Sequence, residues 1–316
     1  MFQKVFRRGA SIRQGPPPPL ADGGSRRGVA LALGGGAARG WAHIGVLRAL
    51  DEARIPISMI AGTSIGALVG GCYLAGKLDE LEAFACSLTR RGLIRFLDFS
   101  ISGAGLIGGM RLNRRLTEAL ADTRIEDLPR RLVCVATESR SGHEVWLDSG
   151  SLVLAMRASY ALPGVFLPVA CSGRTLMDGA LVNPVPVAVC RAYEEPLVVA
   201  VNLNYDLFGR AAVLRLRAGN GAGDTALPAS EDDAVNDKRG KAGIARSMVD
   251  AFGIIQDRIS RARLAGDPPD LSLQPRVRDI GMSEFFRARE TIELGYAEAS
   301  RQIAEIRRLS ESLPRR

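Results

Sequence analysis

Four short, mostly apolar runs stand out along the chain: Val29–Leu33, Ile57–Ala61, Leu132–Thr137 and Val198–Leu203. Runs this short, without polar alternation, suit strands covered on both faces. Between them the period lengthens. Ile44, Val46, Leu47 and Leu50 predict a helix over Trp41–Glu52, and the small apolar residues after Gly66 predict another. Leu78–Arg91, Leu112–Leu120 and Ser151–Tyr160 also read as helices. Glu144–Leu147 is expected to pair with Leu132–Thr137 as a hairpin across Ser139–His143. Two more short strands fall near Pro168–Cys171 and Thr175–Met177. Strands alternating with helices indicate an α/β protein: three layers, α/β/α, around a mostly parallel central sheet.

The pattern changes at both ends. Residues 1–27 are basic and contain four consecutive prolines, Pro16–Pro19, which predicts a flexible arm. A catalytic domain is expected over residues 28–205, with its core at 28–192. Residues 206–243 are polar and glycine-rich, as in a flexible excursion. Residues 244–316 are expected to form a helical extension packed on the domain, with Met248, Phe252, Ile255 and Ile259 as an apolar stripe and a charged helix over Ser283–Leu309. Phe96–Gly109 mixes glycine, serine and apolar residues and is a candidate lid.

The formal charge of +8 suits an anionic surface, either phospholipid headgroups or nucleic acid. No zinc-finger spacing or aromatic RNA-binding signature accompanies it, so no nucleic-acid partner is expected. The arm's Arg and Lys suit peripheral contact with an anionic membrane, although a solvated tail is the simpler state. Ile55–Gly76 carries no charge, but Pro56, Thr63, Ser64 and five glycines argue for a buried strand and helix rather than a span. Cys72, Cys86, Cys134, Cys171 and Cys190 are scattered and odd in number, as reduced thiols of a cytoplasmic protein would be. The N-terminus lacks the apolar core of a secretory signal.

The chemistry centres on Gly62-Thr-Ser64-Ile-Gly66, a G-x-S-x-G turn between strand and helix. Glycines on either side let strand and helix approach and leave the Ser64 hydroxyl at the tip, beside a helix N-terminus. Upstream, Val29–Leu33 runs into Gly34-Gly-Gly-Ala-Ala-Arg-Gly40, a loop whose main-chain N–H groups suit an anion or oxyanion. A dinucleotide site would place an acid at the end of the next strand, and a P-loop would show G-K-[ST]; neither is present. A serine nucleophile needs a base. The two histidines are poorly placed: His43 lies inside the helix after the glycine loop, and His143 lies in a polar turn. No histidine follows residue 143, where a Ser-His-Asp hydrolase would carry one. A carboxylate remains, and Asp178, between an apolar strand and Gly179-Ala180, is the candidate.

Together, the glycine loop, G-T-S-I-G and D-G-A in this order, with Ala158–Val169 (ASYALPGVFLPV), resemble the patatin-like phospholipase family, in particular its small bacterial members. The resemblance covers about residues 28–192. It implies a patatin-like fold and a serine acyl-ester hydrolase acting on phospholipid, lysophospholipid or a related lipid ester, with no metal or cofactor. It assigns Ser64 as nucleophile, Asp178 as general base and Gly35, Gly36 and Ala37 as the oxyanion loop. Arg39, Gly40, Gly62, Gly66, Gly179 and Ala180 complete the motifs. The family pattern G-x-G-x-x-G has Ala37 at its second glycine; alanine keeps the N–H donor but restricts φ. Ser64 and Asp178 are then expected within about 2.6–3.2 Å of each other. An acyltransferase using the same acyl-enzyme, and a non-catalytic adaptor on the same fold, are the alternatives.

Overall fold

The apolar runs become neighbours in one sheet. The computed structural model describes residues 28–89, 114, 116–120, 122–163, 165–205 and 238–313, with 238–250 as a backbone path. The basic arm, the Phe96–Gly109 stretch and residues 206–237 of the glycine-rich excursion lie outside the described residues.

Strand β1 (Val29–Leu33) leads through the glycine loop to helix α1 (Ala42–Glu52). Strand β2 (Ile57–Thr63) leads directly into α2 (Ile65–Leu74), followed by α3 (Leu78–Ser87) and a helical stretch at 116–120. Strands β3 (Arg131–Glu138) and β4 (Glu144–Leu147) form the expected hairpin. Helix α4 (Leu152–Ser159) precedes a second hairpin, β5 (Val169–Cys171) and β6 (Arg174–Asp178). Then come α5 (Val187–Ala192), β7 (Val198–Val201), α6 (Lys238–Gly266), β8 (Leu271–Leu273) and α7 (Ala288–Glu311).

Hydrogen-bonded pairing runs β5-β6-β3-β2-β1-β7-β8, with β6 and β2 meeting successive stretches of one edge of β3 and β4 on its other edge. The run β3-β2-β1-β7-β8 is parallel throughout, and only β4, β5 and β6 are antiparallel to their neighbours. Alternate side chains point to opposite faces. Leu31, Leu33, Ile60, Leu132, Cys134 and Val201 pack under α1, α2, α4 and α7. Ala30, Ala32, Met59, Ala61, Val133 and Val135 pack under α5. The strands are buried on both sides, so their sequences show no polar alternation.

Strand β3 sets the geometry of the site. Val135 pairs with Trp146 of β4 and with Thr63 of β2, so these partners lie on opposite edges. Ala136 pairs with Val145 of β4 and with Asp178 of β6. Strands β2 and β6 therefore share one edge of β3 and run toward each other. Their ends occupy adjacent stations about 3.3 Å apart. The residue after Thr63 must meet the last residue of β6.

The C-terminal residues join the same body. Strand β8 extends the sheet beside β7, although its three residues carry no readable period. Helix α7 crosses α1 at two glycines. A Cβ on Gly45 would stand 1.9 Å from the Ile292 carbonyl oxygen, and one on Gly295 would stand 2.0 Å from that of Ala42. The backbones touch there, and Ile292, Ala299 and Ile306 are buried in the core shared with α1. Helix α6 begins at Lys238, ahead of the expected start at Ile244, because the glycines at 240 and 243 mask its N-terminal turns in the sequence. Its expected stripe is also displaced: Phe252 is buried, but Ile255 is 46% exposed.

Replacing Gly295 with Val should force α7 from α1 and cost about 2–3 kcal/mol, a fall in Tm of roughly 5–10 °C. Gly266→Val is the control, because nothing lies within 4 Å of its added Cβ. Thermal unfolding followed by circular dichroism measures both.

Candidate active site

The turn from β2 to α2 holds Ser64 at φ 56, ψ −123, a conformation that costs a side-chain-bearing residue about 1–3 kcal/mol. Neighbouring groups enforce it. The Ser64 N–H donates to Ser159 Oγ at 2.9 Å, and Ser159 Oγ–H donates to the Val135 carbonyl at 2.6 Å. The Ser64 carbonyl accepts from Ala67 and Leu68, starting α2. The flanking glycines are required by space: a Cβ on Gly62 would lie 2.5 Å from Ala67 Cα, and one on Gly66 would lie 2.2 Å from the Leu33 carbonyl oxygen.

Ser64 Oγ donates to Asp178 Oδ2 at 2.7 Å, inside the expected reach. The other carboxylate oxygen, Oδ1, accepts the Ala180 N–H at 2.8 Å. Thr137 Oγ1 donates to the Asp178 carbonyl and Thr63 Oγ1 to the Asn183 carbonyl, each at 2.8 Å, so both strand ends are clamped. Gly179 is needed because a Cβ there would lie 2.2 Å from the Val135 oxygen. Asp178 is 1% exposed and has no ion-pair partner among the described residues. Burial pushes its carboxyl up to about 7, against the opposing pull of the Ser64 and Ala180 hydrogen bonds.

The glycine loop passes in front of the pair. A Cβ on Gly35 would sit 3.5 Å from Ser64 Cβ and 3.3 Å from Ala180 Cβ. The Gly34 N–H donates to Val201 O, and the Gly35 N–H donates to Pro184 O at 2.9 Å. The Gly35 amide is thus already used. The amides of Gly36 and Ala37 have no acceptor among the described residues. Ala37 has φ 49, so the loop does take the left-handed conformation that alanine resists. Arg39 turns away from the pair: it is buried, its Nε donates to Ile280 O at 2.7 Å, and burial lowers its pKa to about 10. With Ala38 N–H on Met282 O, it ties the loop to the segment before α7. Gly40 lies against Ile65, where a Cβ would meet Cγ2 at 2.1 Å.

Neither histidine hydrogen-bonds Ser64 or Asp178 among the described residues. His43 Nε2–H donates to the Gly34 carbonyl at 2.7 Å, and burial lowers its pKa to about 4, so it is neutral and braces the loop. His143 is exposed in the β3–β4 turn. Cys72, Cys134 and Cys190 are buried, and all five cysteines are free. Among the described residues no cluster of three or more His, Cys, Asp or Glu could hold a metal, and no helix is long and apolar enough to cross a membrane. A cavity of about 420 Å³ between α2, α3 and the 116–120 stretch is lined by Cys72, Leu81, Phe84 and Leu116, and by neither member of the pair.

Three contributors escaped sequence reading. Ser159 lies in the ASYALPG stretch but carries no motif of its own. Asn183 offers its main-chain carbonyl to Thr63 and its side chain to Glu144, at 2.8 Å. Gln256 arrives from α6, more than seventy residues after Asp178, and its Nε2 lies 3.7 Å from the Cβ position of Gly35.

A serine elbow that meets a lone buried aspartate beside a glycine loop, on a mostly parallel sheet, defines a class of α/β fold. Within that class this chain belongs to the patatin-like phospholipase family, whose profile matches residues 31–191. It is 44% identical over 191 residues to an uncharacterized NTE family protein of Mycobacterium tuberculosis, covering 60% of this chain and 53% of that protein. It is 34% identical over 182 residues to lysophospholipase nte1 of Emericella nidulans, covering 56% of this chain and 12% of that protein. Patatin-like phospholipase domain-containing protein 6 of Homo sapiens is 35% identical over 212 residues, covering 64% and 15%. The matched stretch thus spans about half of the mycobacterial relative and a small part of the other two. The fold is also that of VipD from Legionella pneumophila, with TM-score 0.50 and 14% identity over 88% of this chain and 66% of that one.

The raised pKa has a consequence for stability. Unfolded aspartate ionises near 3.9, whereas folded Asp178 holds its proton to about 7. The proton's contribution to stability is fully present below pH 4 and is lost as pH rises through 7, on the order of 4 kcal/mol in all. Asp178→Asn, neutral throughout, should be more stable than the wild type at pH 8, and the advantage should vanish toward pH 4. Denaturant unfolding at a series of pH values measures this.

Proposed function

We propose that this protein hydrolyses lipid acyl esters through an acyl-enzyme on Ser64, with Asp178 as the only general base. The observation that carries the reading is the 2.7 Å hydrogen bond from Ser64 Oγ to a buried Asp178 carboxylate, with both histidines engaged or placed elsewhere. A carboxylate with a pKa of about 7 is matched to a base working near neutral pH. Family membership and the name of the fungal relative, a lysophospholipase, support a lipid ester as substrate. The formal charge of +8 suits substrate presented at an anionic surface.

The steps follow from these positions. Asp178 takes the Ser64 proton as Oγ attacks the acyl carbonyl. The N–H groups of Gly36 and Ala37 hold the tetrahedral oxyanion, each such donor contributing about 3–4 kcal/mol at the transition state. Asp178 returns the proton to the departing alkoxide. It then takes a proton from water as the water attacks the acyl-enzyme, and passes that proton to Ser64 Oγ as the Oγ–acyl bond breaks and the fatty acid is released. The chain supplies nucleophile, base and oxyanion donors from its own residues.

On a panel of lysophospholipid and simple lipid esters, Ser64→Ala should lose at least ~10³-fold in turnover while keeping its circular dichroism spectrum. Undiminished turnover by the folded variant would end the reading. The base must be ionised, so kcat/KM of the wild type should rise with pH, bend near 7 and level off above it.

A further inference from the structure

Helix α6 turns a polar face inward. Gln256, Asp257 and Ser260 are each at most 2% exposed, while Ile254 and Ile255 on the other side are 47% and 46% exposed. An ion pair ties the helix to β4. Asp257 pairs with Arg261 on the helix itself, and Arg263 pairs with Glu144, which also accepts from Asn183. The helix is thereby fastened to the segment that follows Asp178.

Gln256 is the residue of this face that lies against Gly35, the glycine in front of the Ser64–Asp178 pair. Its Nε2, Ser64 Cβ and Ala180 Cβ all lie within 4 Å of one point, the place a Cβ on Gly35 would take. The lack of that Cβ keeps the point open. Gln256 is 1% exposed, yet its Oε1 has no hydrogen-bond partner among the described residues. Asn204 borders the same glycine, with Nδ2 3.4 Å from the Gly35 carbonyl, and its Oδ1 is also unpartnered. Buried polar atoms without partners are rare in folded proteins, and a ligand often supplies the match.

Both unmatched atoms are acceptors. They cannot hold the oxyanion, the ester carbonyl or a phosphodiester, which bring no proton to share. They match an O–H. The acyl chain has none, but the alcohol half of a polyol ester does. Resting on the acyl-hydrolase reading, we propose that Gln256 is a specificity-determining residue. Its Oε1 accepts a hydrogen bond from a free hydroxyl on the alcohol half of the ester, next to the bond that Ser64 cleaves.

The test compares 2-hydroxyethyl octanoate with 2-methoxyethyl octanoate, which differ in that one donor. Wild type should favour the hydroxyl ester about tenfold in kcat/KM, the size of one buried hydrogen bond. Gln256→Met, similar in shape but without the acceptor, should bring the ratio close to one. Gln256→Glu, which keeps an acceptor, should retain a preference for the hydroxyl ester. Equal rates for the two esters in wild type, or an undiminished ratio in folded Gln256→Met, would overturn the proposal and leave the hydrolase reading standing. A fall in kcat shared by both esters with the ratio intact would assign Gln256 to the hydrolytic water and likewise overturn it. If wild type cleaved neither ester nor any of the panel esters, the hydrolase reading itself would fall, and this proposal with it.

Discussion

Two strands converge from opposite directions on one edge of β3, and the centre of the protein depends on that junction. Strand β2 ends at the partner of Val135, and β6 ends at the partner of Ala136. Side chains 114 residues apart in the chain are thereby brought to a single 2.7 Å hydrogen bond. Thr63, Thr137 and Ser159 lock the junction with short bonds to main-chain atoms. The strain at Ser64 persists because these contacts over-determine it.

The junction is also dry. Sheet, loop and helices leave Asp178 almost without solvent, and no cation stands beside it among the described residues. Desolvation therefore outweighs two hydrogen bonds, and the carboxyl is raised toward neutrality. A salt-bridged aspartate would be a poorer base, because its pKa would fall. The fold gives up stability at neutral pH to keep this carboxyl buried and without a cation among the described residues.

Much of this was legible in the sequence for local reasons. Apolar runs, helical periods and the β3–β4 hairpin depend on neighbouring residues, and the patatin-like family on three ordered motifs. Ser64 and Asp178 stood out because a G-x-S-x-G turn and an Asp-Gly after a strand are each visible within a few positions. What escaped depends on contacts distant along the chain. That the Gly35 amide is used by Pro184, leaving Gly36 and Ala37, follows from how the segment after Asp178 folds back. Ser159 acts by supporting the elbow rather than by belonging to a motif. The inward face of α6 carries Gln256 and Ser260, so a search for an apolar stripe picked Ile255, which faces solvent. Strand β8 is too short to show a period.

The central claim is that an aspartate alone takes the proton from Ser64. It is tested most directly by the rate at which a fluorophosphonate modifies Ser64 as pH is varied, read by mass spectrometry of the adduct in wild type, Asp178→Asn and His43→Ala. The wild-type rate should climb through an inflection near pH 7. Asp178→Asn should be slower by ~10²-fold or more and lose that inflection, and His43→Ala should keep it. A folded Asp178→Asn protein labelled at the wild-type rate with the same inflection would contradict the account.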